Sequence, residues 1–246
     1  MKPTASIAFA NRWHSKKFVS EWHDAAQRDR RDRSAHDFVA SLVPHERGEE
    51  FRVMEILCGF GRLSRRVLAA FPKSQLVCVD YSQPMLRLAE ENLRRDQHRI
   101  RFVRANLDRT RWTHVVGGEV GGDFEAIVSS CAVHDLSRRS QRRIYRDVFT
   151  LLKPGGCFFD YDIAWHDDLE ANRHTQAILE REAKAPLTPE LQKNNAYIRG
   201  LKRRPWEWML TIEQRIREME CAGFDGVACY WRQLNRVVYG GFKPKV

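Results

Sequence analysis

A chain of 246 residues, 43% hydrophobic and 30% charged, can bury one large α/β core or a core with a small cap, and it is not the composition of a disordered chain. No stretch approaches the roughly 18 uninterrupted apolar residues of a transmembrane helix, and the N-terminus lacks the apolar block and cleavage site of a secretory signal. The net charge of +10 comes mostly from arginines spread along the chain, which reads as solvated helix faces, with attraction to RNA as the alternative.

Strands and helices alternate from residue 51 onward. "FRVMEIL" (51–57) predicts a buried strand, "RLSRRVLAAFP" (62–72) a helix and "QLVCVD" (75–80) a second strand. "QPMLRLAEENLRRD" (83–96) predicts a helix with Pro84 in its first turn, and "IRFVRAN" (100–106) a third strand. "FEAIVSSC" (124–131) predicts a fourth strand, "RRSQRRIYRDVFTLL" (138–152) a helix closed by "KPGG", and "GCFFDYD" (156–162) a fifth strand. Apolar runs without alternation imply strands covered on both faces, hence a parallel sheet. The expected fold is a doubly wound, mostly parallel, seven-stranded sheet. "GFDGVACYWRQLNRVVYGGFKP" reads as two strands in succession, an antiparallel finish.

The expected organisation is an N-terminal helical cap (1–50), an α/β core (51–162), a helical insertion acting as a lid (163–205), and a C-terminal helix with strands completing the core (206–246). The cysteines, Cys58, Cys78, Cys131, Cys157, Cys221 and Cys229, form no C-x-x-C pair and mostly lie in apolar runs. They read as buried hydrophobes in a reducing, cytoplasmic setting. "WHDD" (165–168) has metal-binding letters, but adjacent helical residues would not converge on one ion, so no metal is expected.

In a doubly wound sheet the ligand lies beyond the carboxyl ends of the strands, which singles out "VMEILCGFGRLS" (53–64). Gly59 and Gly61 permit a tight turn and close approach of the backbone. Asp80 follows at the spacing of an acid that accepts hydrogen bonds from ribose hydroxyls. A dinucleotide fits poorly: Ser64 replaces the third glycine, and Glu55 places a negative charge near the pyrophosphate position. A cation carrying a ribose and no phosphate fits better, and S-adenosylmethionine is such a ligand.

Five segments in order, "VMEILCGFG", "VDYSQPML", "FVRANL", "FEAIVSSCAVHDL" and "LLKPGGCFFDYD", resemble the motifs of the class I S-adenosylmethionine-dependent methyltransferases over roughly residues 50–162. The resemblance implies S-adenosyl-L-methionine as cofactor, S-adenosyl-L-homocysteine as product, and transfer of a methyl group to an oxygen, nitrogen or carbon of a small molecule. It implies that the backbone at Leu57, Cys58 and Gly59 follows the methionine portion, with Glu55 near its ammonium group and Gly61 in the same turn. Tyr81 and Met85 would pack on the adenosine, Asn106 and Leu107 would border the adenine, and the backbone at Ser130 and Cys131 would pass near the sulfonium. Two departures stand out. Leu57 occupies the first glycine's place, where a positive φ would strain it by roughly 1–2 kcal/mol. Asn106 replaces an acid but can still accept from an amino group.

Methyl transfer is an in-line displacement, so the protein mainly aligns two reactants. His134, just past strand four, is the candidate catalytic base if the acceptor must lose a proton. Trp13, Asp160, Tyr161 and Asp162 are candidate acceptor contacts beside His134, and Trp22, Trp206 and Trp208 could wall a lid. An RNA or tRNA methyltransferase is the alternative function, drawing on the charge and on "LKRRPWEW" (201–208), where basic and aromatic residues interleave. A non-catalytic binding protein on the same fold is the third reading.

Overall fold

The computed structural model describes residues 12–27, 31–182 and 209–245. Helices α1 (Lys16–Gln27) and α2 (Arg31–Leu42) precede the core. Strands β1 (Arg52–Ile56), β2 (Gln75–Asp80) and β3 (Ile100–Arg104) alternate with α3 (Arg62–Ala70) and α4 (Gln83–Asn92). Then come α5 (Trp112–Val120), β4 (Phe124–Ser130), α6 (Arg138–Leu151), β5 (Leu152–Ile163), α7 (Leu169–Glu182), α8 (Ile212–Ala222), β6 (Asp225–Gln233) and β7 (Arg236–Phe242).

The sheet has seven strands in the order β3-β2-β1-β4-β5-β7-β6. β1 pairs in parallel with both β2 and β4, so the chain reverses its direction of travel across the sheet beside β1, where a crevice opens at the carboxyl ends. β7 runs antiparallel to β5, and β6 antiparallel to β7, as the C-terminal sequence predicts. The continuous apolar runs have the expected cause. Met54, Ile56, Val77 and Val79 enter a core on one face of the sheet, while Val53, Leu76, Cys78 and Val128 enter a second core on the other.

Local chemistry starts and stops the helices around the crevice. Ser82 caps α4 by accepting from Met85 N–H at 3.2 Å, with Pro84 in the first turn. Thr211 and Gln214 form a capping box at α8, and Gly223 ends that helix at φ +101°.

Two elements differ from the sequence reading. β5 begins at Leu152, because "KPGG" continues as extended chain rather than as a turn; Gly155, at φ +78°, is held by the Lys243 carbonyl at 2.9 Å. Helix α5 is not legible in the sequence, since Gly117 and Gly118 dilute its pattern. Trp112 nevertheless anchors it, buried and bonded through Nε1 to Asp147 at 2.7 Å. Within 163–205, α7 is described to Glu182; the stretch carrying Pro186, Pro189 and Pro205, and also Trp206 and Trp208, lies outside the described residues. No helix among the described residues is long and apolar enough to cross a membrane.

Candidate active site

The loop after β1 turns through three positive-φ residues: Leu57 at +55°, Gly59 at +53° and Gly61 at +82°. Cys58 N–H bonds to the Val79 carbonyl and Gly61 N–H to the Cys58 carbonyl, both at 3.0 Å, so the turn is locked to β2. A side chain at Gly59 would project into open space, whereas one at Gly61 would strike Leu93 at 2.8 Å. Glycine therefore keeps the first position open and lets α3 lie close to α4 at the second.

Asp80, buried at the end of β2, holds this loop. Its Oδ2 accepts from Gly59 N–H at 2.9 Å and its Oδ1 from Ser82 N–H at 2.8 Å. Each carboxylate oxygen keeps a second lone pair, enough for two sugar hydroxyls. Burial pushes Asp80 up to about 6, against the pull of its backbone donors. Glu55, 1% exposed, accepts a hydrogen bond from Ser64 Oγ. Burial pushes its carboxyl up to about 8, with the Ser64 bonds opposing and the Asp80 charge adding to the rise.

These groups open onto one crevice of about 1010 Å³, counting the part continuous with solvent. Its walls bring together Glu55, Leu57, Cys58, Gly59, Asp80, Tyr81, Met85, Asn106, Leu107, Ser130, Cys131 and Trp13. Gly61 lies just behind the wall, and Phe60 takes the neighbouring place on it. Asn106 Oδ1 accepts from Asp108 N–H at 2.9 Å, so part of its acceptor capacity goes to the turn. Asp108, which the sequence reading passed over, lines the crevice beside it.

Residues 53–156 match a family model described as "Methyltransferase domain". The chain is 24% identical over 111 residues to a demethylmenaquinone methyltransferase of Leptospira interrogans, a match covering 45% of this chain and 42% of the relative. It is 31% identical over 122 residues to a malonyl-[acyl-carrier protein] O-methyltransferase of Priestia megaterium, covering 50% and 40%. The matches thus span about two fifths of the length of these relatives. An O-methyltransferase family protein from Burkholderia thailandensis superposes with a TM-score of 0.66 at 18% identity, covering 97% of this chain and 62% of that one. The matched stretch runs from β1 into β5.

The N-terminal helices close one side of the crevice. Ser82 Oγ donates to the Trp13 carbonyl, and Arg12 pairs with Asp135 at 3.4 Å while stacking over Trp13 at 4.6 Å. From α2, Asp32 receives Arg62 at 2.6 Å, the Tyr161 hydroxyl at 2.8 Å and Arg236 at 3.3 Å. Burial would raise the Asp32 carboxyl, but Arg236 and Arg62 outweigh it and hold the group below its ordinary range. His36 Nε2 lies 2.6 Å from Ser130 Oγ. Asp32, His36, Arg62 and Asp135 all line the crevice, and sequence reasoning missed all four.

Trp13 lines the crevice, whereas the other candidate acceptor contacts do not. His134 sits behind the crevice wall, its Nδ1 2.5 Å from Asp162 Oδ1 and its Nε2 3.5 Å from Asp135. Its backbone N–H donates to Asp162 Oδ2 at 2.9 Å, so Asp162 fixes both the backbone and the ring of His134. Asp160 and Asp162 are fully buried, and their partners explain why: Arg215 of α8 donates to Asp162 at 2.7 Å, and the Tyr239 hydroxyl donates to Asp160 at 2.8 Å. Burial would raise Asp162, but His134 and Arg215 hold it below the carboxylate range, whereas burial and the neighbouring Asp162 charge push Asp160 up to about 8. Tyr161 is not on the crevice wall but donates its hydroxyl to Asp32, which is. In "WHDD" the side chains part company: His166 turns to Glu213, Asp167 to Thr211 and Arg217, and Asp168 caps α7.

Proposed function

We propose that this chain is an S-adenosylmethionine-dependent methyltransferase acting on a small-molecule acceptor at a nucleophilic oxygen, nitrogen or carbon. The observation that carries the reading is Asp80 holding the Gly59 and Ser82 amides with lone pairs to spare, while Glu55 and a slot of Phe60, Tyr81, Met85 and Leu107 face the same crevice. That donor and acceptor set fits a ribose, an ammonium group and a flat base, and the loop lacks the third glycine of the dinucleotide fingerprint. When bound, S-adenosylmethionine supplies a methyl group activated by its sulfonium.

In this reading the chain's own residues orient and enclose. Asp80 fixes the ribose, Glu55 faces the ammonium group, and Asn106 with Leu107 borders the adenine. Trp13 and the N-terminal helices cover the reacting end and keep water out, and the insertion at 163–205 acts as a lid. A small acceptor is favoured by the enclosing crevice and by the demethylmenaquinone relative. Five of the arginines, Arg52, Arg99, Arg138, Arg143 and Arg215, donate to backbone carbonyls inside the fold. The six unpaired thiols suit a reducing, cytoplasmic compartment.

The test is calorimetric titration with S-adenosylmethionine and S-adenosylhomocysteine, beside Asp80→Ala. Micromolar binding that collapses in the variant is expected. No heat from the folded wild-type protein with either ligand would overturn the reading.

A further inference from the structure

Two polar side chains of the crevice bond to each other rather than to Asp80 or the glycine loop. His36 comes from α2, Ser130 from the end of β4, and Ser130 Oγ lies 2.6 Å from His36 Nε2 across 94 residues of sequence. The imidazole is 3% exposed and meets the Tyr161 ring edge-on at 5.7 Å. Ser130 is fixed in direction because the next residue, Cys131, sits at φ +52° with its N–H bonded to the Tyr161 carbonyl at 2.6 Å. Four charged groups face the imidazole. Asp32 and Asp37 on α2 favour its charged form; Arg62 and Arg66 on α3 oppose it, and each carboxylate is paired with one of these arginines. Burial first, and Arg62 next, lower the His36 pKa to about 4, so the ring is neutral at ordinary pH.

We infer that this pair receives the reacting hydroxyl of an alcohol or phenol acceptor, Ser130 Oγ accepting its O–H and His36 Nε2 receiving the proton through Ser130. The inference rests on the methyltransferase reading of the same crevice. The acceptor oxygen bonds to the methyl carbon as the carbon–sulfur bond breaks and leaves its electron pair on sulfur. The methylated oxygen then gives its proton to Ser130 Oγ while the serine proton passes to His36 Nε2. Positive charge moves from the sulfonium to the imidazolium, where Asp32, one helical turn away, favours it. A methylated hydroxyl is a far stronger acid than an imidazolium, so a weak neutral base suffices. An amine acceptor would leave an ammonium group that such a base cannot deprotonate, and a carboxylate acceptor has no proton to remove.

The test uses the full chain, methyl-tritiated S-adenosylmethionine and four probes: catechol, 2-naphthol, benzylamine and benzoate. Label is expected on catechol or 2-naphthol, with kcat at saturating cofactor holding steady into acid until the pH nears about 4. His36→Gln and Ser130→Ala should each lower kcat by about 10²–10⁴-fold, the usual contribution of proton transfer. Both should bind S-adenosylhomocysteine as tightly as wild type, which also shows that they fold. Nitrogen-15 NMR of the labelled imidazole should find Nε2 without a proton.

Label on benzylamine or benzoate alone, or on no hydroxyl probe, overturns the inference. So does a proton on Nε2. A loss of S-adenosylhomocysteine affinity in step with kcat would overturn it too, by assigning the pair to the cofactor's amino-acid end. Failure of the wild type to bind S-adenosylhomocysteine is a separate outcome, which removes the methyltransferase reading itself.

Discussion

Ser64, standing where a dinucleotide loop has its third glycine, donates its hydroxyl to the buried Glu55 carboxyl. The same Oγ lies 3.3 Å from Cys78 Sγ, so a small side chain both lets α3 rest on β1 and β2 and supplies the acid with a donor. That donor is neutral, and burial leaves Glu55 at about 8, protonated for the most part at neutral pH. A ligand ammonium group brought against it would pull the proton off. Titration with S-adenosylhomocysteine at pH 7 in Tris and in phosphate should therefore give heats that differ by the ionisation of nearly one released proton. Glu55→Gln should remove the difference. Identical heats in the two buffers for the wild type would sink the idea.

The same burial makes the ligand-free protein sensitive to alkali. Glu55 and Asp160 both sit at about 8, against ordinary values of 4.5 and 3.8. A raised folded-state pKa contributes stability that is complete below the unfolded value and lost as the pH rises through the folded one. His36, lowered to about 4 from 6.5, acts oppositely, but only below about 6.5, where the unfolded imidazole binds protons. Between pH 6.5 and 8 the two carboxyls act without that opposition. Stability should fall there with rising pH, at no more than about 1.4 kcal/mol per pH unit for each carboxyl. Thermal unfolding across this window should show Tm declining, and Glu55→Gln should flatten the slope. A wild-type Tm that rises from pH 6.5 to 8 would contradict the assignment.

What was legible in the sequence is what depends on local chemistry. Apolar runs such as "QLVCVD" mark strands because both faces of the sheet are covered, and the turn at Gly59 and Gly61 needs residues that tolerate positive φ. The loop and Asp80 follow from strand position and spacing, Asn106 and Ser130 from the family resemblance, and the structure gathers all of them on one crevice. Asp32 and His36 could not be read this way. They sit on a helix of unremarkable polarity, and they matter only through Arg62, Tyr161 and Ser130, which lie 30, 129 and 94 residues away. His134 shows the complementary limit: its place after β4 is local, but its ring direction is set by Asp162 on another strand.

Leu57 at φ +55° pits backbone strain against burial. A left-handed conformation costs a residue with a Cβ about 1–2 kcal/mol, whereas removing a buried leucine side chain costs about 2–5 kcal/mol. Burial wins, so Leu57→Gly should destabilise the protein. The strain shows instead in a comparison of two truncations. Leu57→Ala loses nearly the same packing but keeps the strained Cβ, so the glycine variant should be the more stable of the two by about 1 kcal/mol, the reverse of their usual order. Urea midpoints of the two variants decide it, and an alanine variant more stable than the glycine one would show that position 57 carries no strain.

Arg215 ties the C-terminal helix to the floor of the sheet. Its guanidinium is fully buried and donates to Asp162 at 2.7 Å, to the Tyr239 hydroxyl at 3.2 Å and to the Ile163 carbonyl at 2.9 Å. Removing one partner of a buried pair leaves the other charge without compensation, at a cost of about 3–5 kcal/mol. Arg215→Met should therefore lower stability by about that amount, because Asp162 would keep only His134 as a counter-group. Adding Asp162→Asn removes the stranded charge and should recover more than half of the loss. Urea denaturation of the two single variants and the double variant forms a closed cycle. Losses that simply add would mean that Arg215 stabilises the fold by packing alone, and that His134 does not depend on it for the charge of the Asp162 carboxylate.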